Sequence, residues 1–311
     1  ALDLSGATVV TASADRLTAT SVTLGDGTEL SAGCVVDARG GTAPDRSRTA
    51  PARQRAVGAR IPAAADATAA APDEMVLMDW SRSPATAPSF SYRVSRAGGT
   101  RLIEETCLAG RPAVALTELD RRNRERLASA MDDAVGAAEL VDFPLHPAQL
   151  PWHRPTGSAL RFGAGGGLMH PAIGYSIAES LRTADTVVDA LRDGRDPHAA
   201  LWPRPARLSY RLSRIGLECL LALDGPQLTV FFDRFFALDV PRQRAYLSQR
   251  GAAAGLAGTM SAVFRRLPAV LQMRIAATSA VAAIRMTGAE LAGLTAAAAG
   301  SRRWPSRRRD S

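Results

Sequence analysis

Apolar and polar residues alternate from Ala7 to Asp37 in short runs broken by small polar residues. That period of two predicts a β-meander with a turn at Gly25-Asp26-Gly27, ending in the strand "CVVDARG", with Gly40 and Gly41 permitting a tight turn after it. Three further runs, "EMVLMDWS" (74–81), "SFSYRVSR" (89–96) and "TRLIEETCLA" (100–109), predict antiparallel strands of a second sheet, the last two joined at Gly98-Gly99. Thr117 with Asp120 three positions on marks a capped, charged helix to about Val135. "VDFPLHPAQLPW" (141–152) carries three prolines, which excludes a helix and leaves a connecting loop or an edge strand. Residues 158–163 predict a buried strand. It runs into glycines 163, 165, 166 and 167, then Pro171, Gly174 and a helix with Ile177, Leu181, Ala184, Val188 and Leu191 at helical spacing, stopped by Gly194.

The order of these elements gives an α/β chain, and 311 residues at 46% hydrophobic suffice for one large or two ordinary domains. All 38 basic residues are Arg, consistent with a coding bias. Charge is unevenly spread: residues 1–200 hold 21 Arg and 24 acids, net −3, and residues 201–311 hold 17 Arg and six acids, net +11. A basic, Ala- and Leu-rich segment suits an anionic membrane surface, a nucleic acid, or a solvated exterior with a loose tail at "SRRWPSRRRDS". Cys34, Cys107 and Cys219 lie far apart without metal or disulfide spacing, which points to a reducing compartment. His146, His153 and His170 show no ligand spacing, so no metal site is expected. No secretory signal opens the chain, and no run of about 18 apolar residues is present. The chain opens without Met, already alternating like strands inside a sheet, so a fragment is expected.

Two features carry candidate chemistry. Glycines ahead of a helix N-terminus let backbone approach a ligand and leave N–H donors aimed at negative charge, although a simple turn has the same composition. Glu104 and Glu105 are adjacent carboxylates in an otherwise apolar strand. Consecutive strand residues face opposite ways, so one can face a site while its neighbour faces elsewhere; two carboxylates on a surface edge strand are the plainer reading. In "LTVFFDRFFALD" (228–239), Phe231, Phe232, Phe235 and Phe236 keep helical spacing, as core packing or as an aromatic wall.

In order, "VVDARG", "MDWS", "LIEET", "FPLHPAQLPW", "GAGGGLMHPAIGYS" and "FFDRFFALD" resemble the lycopene cyclases of carotenoid synthesis, of the bacterial and plant flavoprotein type, over about residues 30–250. The resemblance implies an FAD-linked Rossmann-like flavoprotein fold with an antiparallel substrate-binding sheet and a helical C-terminal region. Residues 1–60 and 155–200 would then be the remainder of the FAD-binding domain, 61–154 the substrate sheet, and 201–311 a helical, basic region with a flexible tail. The family opens with a strand, a G-x-G-x-x-G loop and a ribose-binding acid; none occurs here, so the fold is expected to be N-terminally truncated. By resemblance Asp37, Arg39 and Gly40 lie near the dinucleotide, and Gly163, Gly165, Pro171, Gly174 and Tyr175 near the flavin. Ile173 stands where the family usually has Thr.

The implied reaction is redox-neutral cyclisation of the end groups of lycopene to β-ionone rings. It uses reduced FAD, with NAD(P)H as reductant. Cyclisation needs a proton delivered to an alkene, a cation kept from water and a proton removed, which carboxyls can do if an apolar wall raises one pKa. The family's Phe-Leu-Glu-Glu-Thr motif falls on Leu102-Ile103-Glu104-Glu105-Thr106. Glu104 is favoured as catalytic, with Glu105 supporting and paired to an Arg such as Arg101 or Arg111, and Asp79 as a second candidate carboxyl. The implied partners are lycopene and a membrane surface, with no nucleic acid; the implied location is cytoplasmic, peripheral to the membrane. Alternatives are a related FAD-dependent monooxygenase or prenyl reductase, or a non-enzymatic basic module binding membrane or nucleic acid.

Overall fold

The computed structural model describes residues 6–40, 51–66, 74–147, 150–153, 157–248 and 250–298. Gly41 and the tail "SRRWPSRRRDS" lie outside the described residues. The meander forms as β1 (Ala14–Leu17), β2 (Ser21–Leu24) and β3 (Glu29–Ser31), a three-stranded antiparallel sheet. Gly27 takes a φ of 86° in the β2–β3 turn, a backbone state that glycine reaches at no steric cost. "CVVDARG" does not join this sheet. Its core, β4 (Val36–Asp37), pairs in parallel with β10 (Leu160–Arg161), so the buried strand expected over 158–163 contracts to two paired residues.

The larger sheet has five antiparallel strands in the order β6 (Val76–Asp79), β7 (Phe90–Arg96), β8 (Thr100–Gly110), β5 (Arg53–Pro62) and β9 (Glu139–Pro144). The first of the three prolines in 141–152 ends β9 at the sheet edge, where a missing N–H costs no ladder bond. Because β5 pairs with both β8 and β9, residues 53–60 belong with the sheet strands and not with the segment 1–60.

Each face of this sheet is covered. On one side lies α1 (Leu116–Leu127), which seats Leu119 against Val57, Cys107 and Val114. Its start departs from the expected cap: Ala115 is the N-cap, no side chain caps it, and the helix gives way to a 3-10 segment at Ala128. On the other side, Trp80, Phe90, Leu108 and Leu145 pack on Leu217, Leu228 and Phe232 of α4 (Arg204–Leu221) and α5 (Gly225–Phe236). A second core joins Trp152, Leu160 and Leu168 to Trp202 and Tyr210, around α3 (Pro197–Leu201). The C-terminal helices α6 (Val240–Ser248), α7 (Ala253–Arg266) and α8 (Ala269–Ala298) close a third, with Phe235, Val263 and Leu271 at its centre.

One helix reverses the face its spacing suggests. In α2 (Ile177–Arg192) the buried positions are Thr183, Val187 and Ala190, while Ile177 is 76% and Leu181 66% exposed, with Ala184, Val188 and Leu191 also outward. The Thr183 hydroxyl donates to the Glu179 carbonyl at 2.7 Å, which lets a polar residue sit on the inner face at little cost.

Candidate functional site

The two glutamates of β8 part onto opposite faces, as the pleat requires. Glu105 is 1% exposed and lies on the α1 side. It accepts from the Ser89 hydroxyl at 2.5 Å and from Arg126 Nε at 3.0 Å, while the same guanidinium donates to Asp79 at 3.0 Å. The partner is therefore Arg126. Arg101 pairs with Asp66 and Arg111 with Glu218: Arg101 shares the α1 face with Glu105 but lies four residues back along β8, and Arg111 lies in the loop beyond the strand. Burial opposes ionisation of Asp79, but hydrogen bonds from Ser81 and the charges of Arg126 and Arg93 hold its carboxyl below the ordinary value.

Glu104 faces the other way. It is directly opposite Tyr92 on β7 and Gly58 on β5, and it accepts from the Thr106 hydroxyl at 2.8 Å. Burial pushes its carboxyl above the usual range, opposed by that hydrogen bond and reinforced by the charge of Glu139. Gly58 makes the spacing possible: a Cβ there would lie 2.9 Å from Leu102 Cδ1 and between the Cβ atoms of Glu139 and Glu104. Burial also raises the Tyr92 phenol, together with a hydrogen bond to Tyr175 and the charge of Glu104. The Tyr92 and Tyr175 rings line a chamber with Met78, Leu108 and the α5 aromatics. There Phe232 stacks on Trp80 with centroids 5.4 Å apart. The four phenylalanines thus serve both readings, as core residues and as chamber wall.

The glycine-rich loop reaches the same sheet face. A Cβ on Gly174, whose φ is 76°, would fall 2.4 Å from Gln54 Oε1 and 3.1 Å from the Phe143 ring. That close approach holds Pro171 to Tyr175 against β5 and β9. At the other end of the loop, a Cβ on Gly165 would lie 2.4 Å from the Gly40 carbonyl, so the end of β4 and the loop touch backbone to backbone. Asp37 and Arg39 form a two-pronged ion pair at 2.9 and 3.1 Å, and Arg39 also donates to the Ala14 carbonyl. The guanidinium holds the Asp37 carboxyl below its usual value. Among the described residues nothing lies against Gly40 and little against Gly163, and no side chain caps the first-turn N–H groups of α2 at Ser176. Bare glycine backbone and uncapped N–H donors fit an anionic or dinucleotide ligand.

Tyr92, Gly58, Glu139 and Arg126 escaped the sequence reading, and Thr106 entered it only as the last residue of a motif, without a role. For Arg126 the available signal was a buried carboxylate needing a cation; for Tyr92 it was hairpin register.

These elements define a mixed α/β protein in which a glycine-rich strand-to-helix turn and an aromatic chamber share one face of an antiparallel sheet with a half-buried carboxyl. The fold is shared with a geranylgeranyl bacteriochlorophyll reductase-like protein of Thermoplasma acidophilum, at a TM-score of 0.51 and 11% identity over 81% of this chain and 66% of that one. The chain belongs to the lycopene cyclase protein family, whose profile matches residues 2–274. It is 34% identical over 208 residues to an uncharacterized carotenoid cyclase of Deinococcus radiodurans, covering 62% of this chain and 50% of that protein. To a lycopene beta cyclase of Synechococcus elongatus it is 29% identical over 216 residues, 63% of this chain and 52% of the other. The chain spans about half the length of the curated relatives it matches.

Proposed function

We propose that the protein to which this chain belongs is a lycopene beta-cyclase, a redox-neutral isomerase acting by acid and base. The observation that carries the reading is Glu104: a half-buried carboxyl with a raised pKa, backed by Thr106 and placed opposite Tyr92 beside an aromatic chamber. A carboxyl that keeps its proton near neutrality can give it to an end-group alkene. The ring faces of Tyr92, Tyr175 and the α5 phenylalanines then lie close to the cation that forms, and attract it through their quadrupoles. The carboxylate left on Glu104 can take back a proton as the ring double bond is set. Glu105 and Asp79 hold Arg126 on the far face and act as supports. Tyr175, half-exposed, sits between the chamber and the glycine-rich loop.

Asp37, Arg39, Gly40, Gly163, Gly165, Pro171, Gly174 and Tyr175 would hold part of an FAD. When bound in its reduced state, with NAD(P)H as reductant, the flavin supplies negative charge or a proton beside the substrate. The relatives' greater length and the outward apolar stripe of α2 support a segment ahead of Ala1 that carries the phosphate loop and completes this domain. The basic, helical C-terminal region supports a cytoplasmic protein held at the membrane periphery, where an apolar polyene is available. Carotene analysis after incubation with lycopene and reduced FAD tests the activity: β-ring products are expected, and hydroxylated or hydrogenated products would indicate a monooxygenase or prenyl reductase instead. Flavin retention tests the domain reading. A chain extended upstream to the relatives' length should keep FAD through gel filtration far better than residues 1–311, and equal retention would refute the extension.

A further inference from the structure

A groove of about 330 Å³ opens between α4, α5, α7 and α8. It is lined mainly by apolar side chains, Val263, Phe264, Leu267 and Ile275 among them, with Cys219, Thr259, Ser279 and Arg265 also on its wall. Three residues, Phe231, Phe235 and Tyr246, line both this groove and the inner chamber beside Tyr92, so one aromatic partition separates the two spaces. The chamber itself has room for about 30 Å³, the volume of one water molecule, so it cannot take a hydrocarbon end group unless these rings move apart. The rings meet edge to face, Phe235 on Tyr246 at 5.4 Å and Phe231 on Phe232 at 5.3 Å, an arrangement that can open by side-chain rotation.

The outer surface next to the groove has its own pattern. On α8, Leu271 and Ala282 are buried while Val270, Met273, Ala277, Val281 and Ile284 form an exposed stripe at spacings of three and four. The segment Ala269–Gly288 is 20 residues long and apolar enough to cross a membrane by length and composition, which corrects the expectation that no such run is present, and only 11% of its most apolar stretch is buried. Arg274 and Arg285 flank the stripe, and Arg265 and Arg266 end the preceding helix. An apolar stripe edged by arginines is complementary to the acyl and headgroup layers of an anionic bilayer.

We infer that the α7–α8 face lies on an anionic lipid surface and that the groove is the portal through which an uncharged conjugated polyene passes from the bilayer, past Phe231, Phe235 and Tyr246, into the chamber. The identity of the polyene rests on the cyclase reading; the route does not. Met260, on the groove wall, is the point to block.

The test uses the protein at its full natural length. Met260→Cys, in a background with Cys34→Ser and with Cys219→Ala because Cys219 lines the same groove, is folded first and then treated with benzyl methanethiosulfonate, so the plug enters after folding and leaves on reduction. The probe is the methyl ester of trans-parinaric acid, an uncharged conjugated tetraene, carried in phosphatidylglycerol vesicles. Its arrival is read as energy transfer from the protein's tryptophans, of which Trp80 stacks on the chamber's Phe232. The plug should slow transfer at least tenfold, leave vesicle binding unchanged, and be reversed by dithiothreitol. Transfer unaffected by the plug, or no uptake by the unplugged protein, would overturn the portal. Lycopene cyclisation is followed separately. Uptake without cyclisation retires the chemistry and keeps the route, and cyclisation indifferent to the plug retires the route and keeps the chemistry.

Discussion

Replacing Glu104 and Glu105 by glutamine in parallel separates a catalytic carboxyl from a structural one. Glu104→Gln keeps the side chain's shape, and the amide oxygen can still accept from Thr106, but it cannot exchange a proton. Cyclisation should fall on the order of 10²–10⁴-fold, the usual cost of a lost general acid or base. Stability should move the other way. The folded pKa of Glu104 is raised above its unfolded value. The folded state therefore binds the extra proton, and the stability linked to it is present at low pH and lost as pH rises through the folded pKa. Above that point the buried carboxylate is a liability that glutamine removes, so the variant's Tm at pH 8 should equal or exceed the parent's. Glu105→Gln strands Arg126, whose side chain is 4% exposed, without one of its two carboxylates. Breaking a buried pair costs about 3–5 kcal/mol. At roughly 2–4 °C per kcal/mol, Tm should drop by on the order of 10 °C, with activity per folded molecule nearly kept. The assay is carotene yield with flavin content and thermal melting on each variant. If Glu104→Gln cyclises at the parent rate while Glu105→Gln melts normally and is dead, the faces are misassigned. If both cyclise, no carboxyl of this strand is the acid.

Gly58→Ala places a Cβ 2.9 Å from Leu102 Cδ1, the mobile end of that side chain, and 3.8 Å from Glu104 Cβ, so Leu102 can yield and the cost should stay at or below about 1 kcal/mol, read by urea titration and initial rates. Burial lowers His146 and His170 to about 4. Both are then neutral when folded, so stability is held above the unfolded value of about 6.5 and lost as pH falls from there toward 4, by several kcal/mol for the two together; urea midpoints at pH 7 and pH 4.5 should show it, and His146→Gln should remove about half of it, leaving the share of His170. Reversing Arg265, Arg266, Arg274 and Arg285 to Glu should weaken binding to anionic vesicles on the order of 10²–10³-fold, at about 1 kcal/mol per arginine, and unchanged sedimentation with vesicles at low salt would count against an electrostatic contribution.

What the sequence made legible was what local period controls. Three of the five strands of the larger sheet, β6, β7 and β8, the glycine turn between β7 and β8, and the parting of Glu104 from Glu105 follow from alternation, whereas β5 was missed and β9 was left between a loop and an edge strand. Spacing alone misled at α2, because a 3.6 period says only that apolar residues share a face. It does not say that this chain covers that face, and here Thr183, Val187 and Ala190 are the ones covered. Arg126 was invisible for a related reason. It lies 21 residues from Glu105 and meets it only because α1 folds back across the sheet.

The decisive detail is one residue of register. A two-residue turn at Gly98-Gly99 would pair Ala97 with Thr100 and set Arg93 opposite Glu104. The loop instead has three residues, Ala97 to Gly99, so Arg96 faces Thr100 and Tyr92 faces Glu104. A slip of one residue moves every side chain to the other face. With Arg93 across from it, the Glu104 carboxyl would have been ion-paired and its pKa lowered, the opposite of the shift that burial gives it as folded. As folded, Arg93 points to the α1 side, where it meets Asp66 at 3.0 Å, and a neutral phenol takes the place beside Glu104. The glycines of this turn, with φ of 83° and 68°, therefore govern the acid–base chemistry of a carboxyl four residues along the strand, by deciding which neighbour it has.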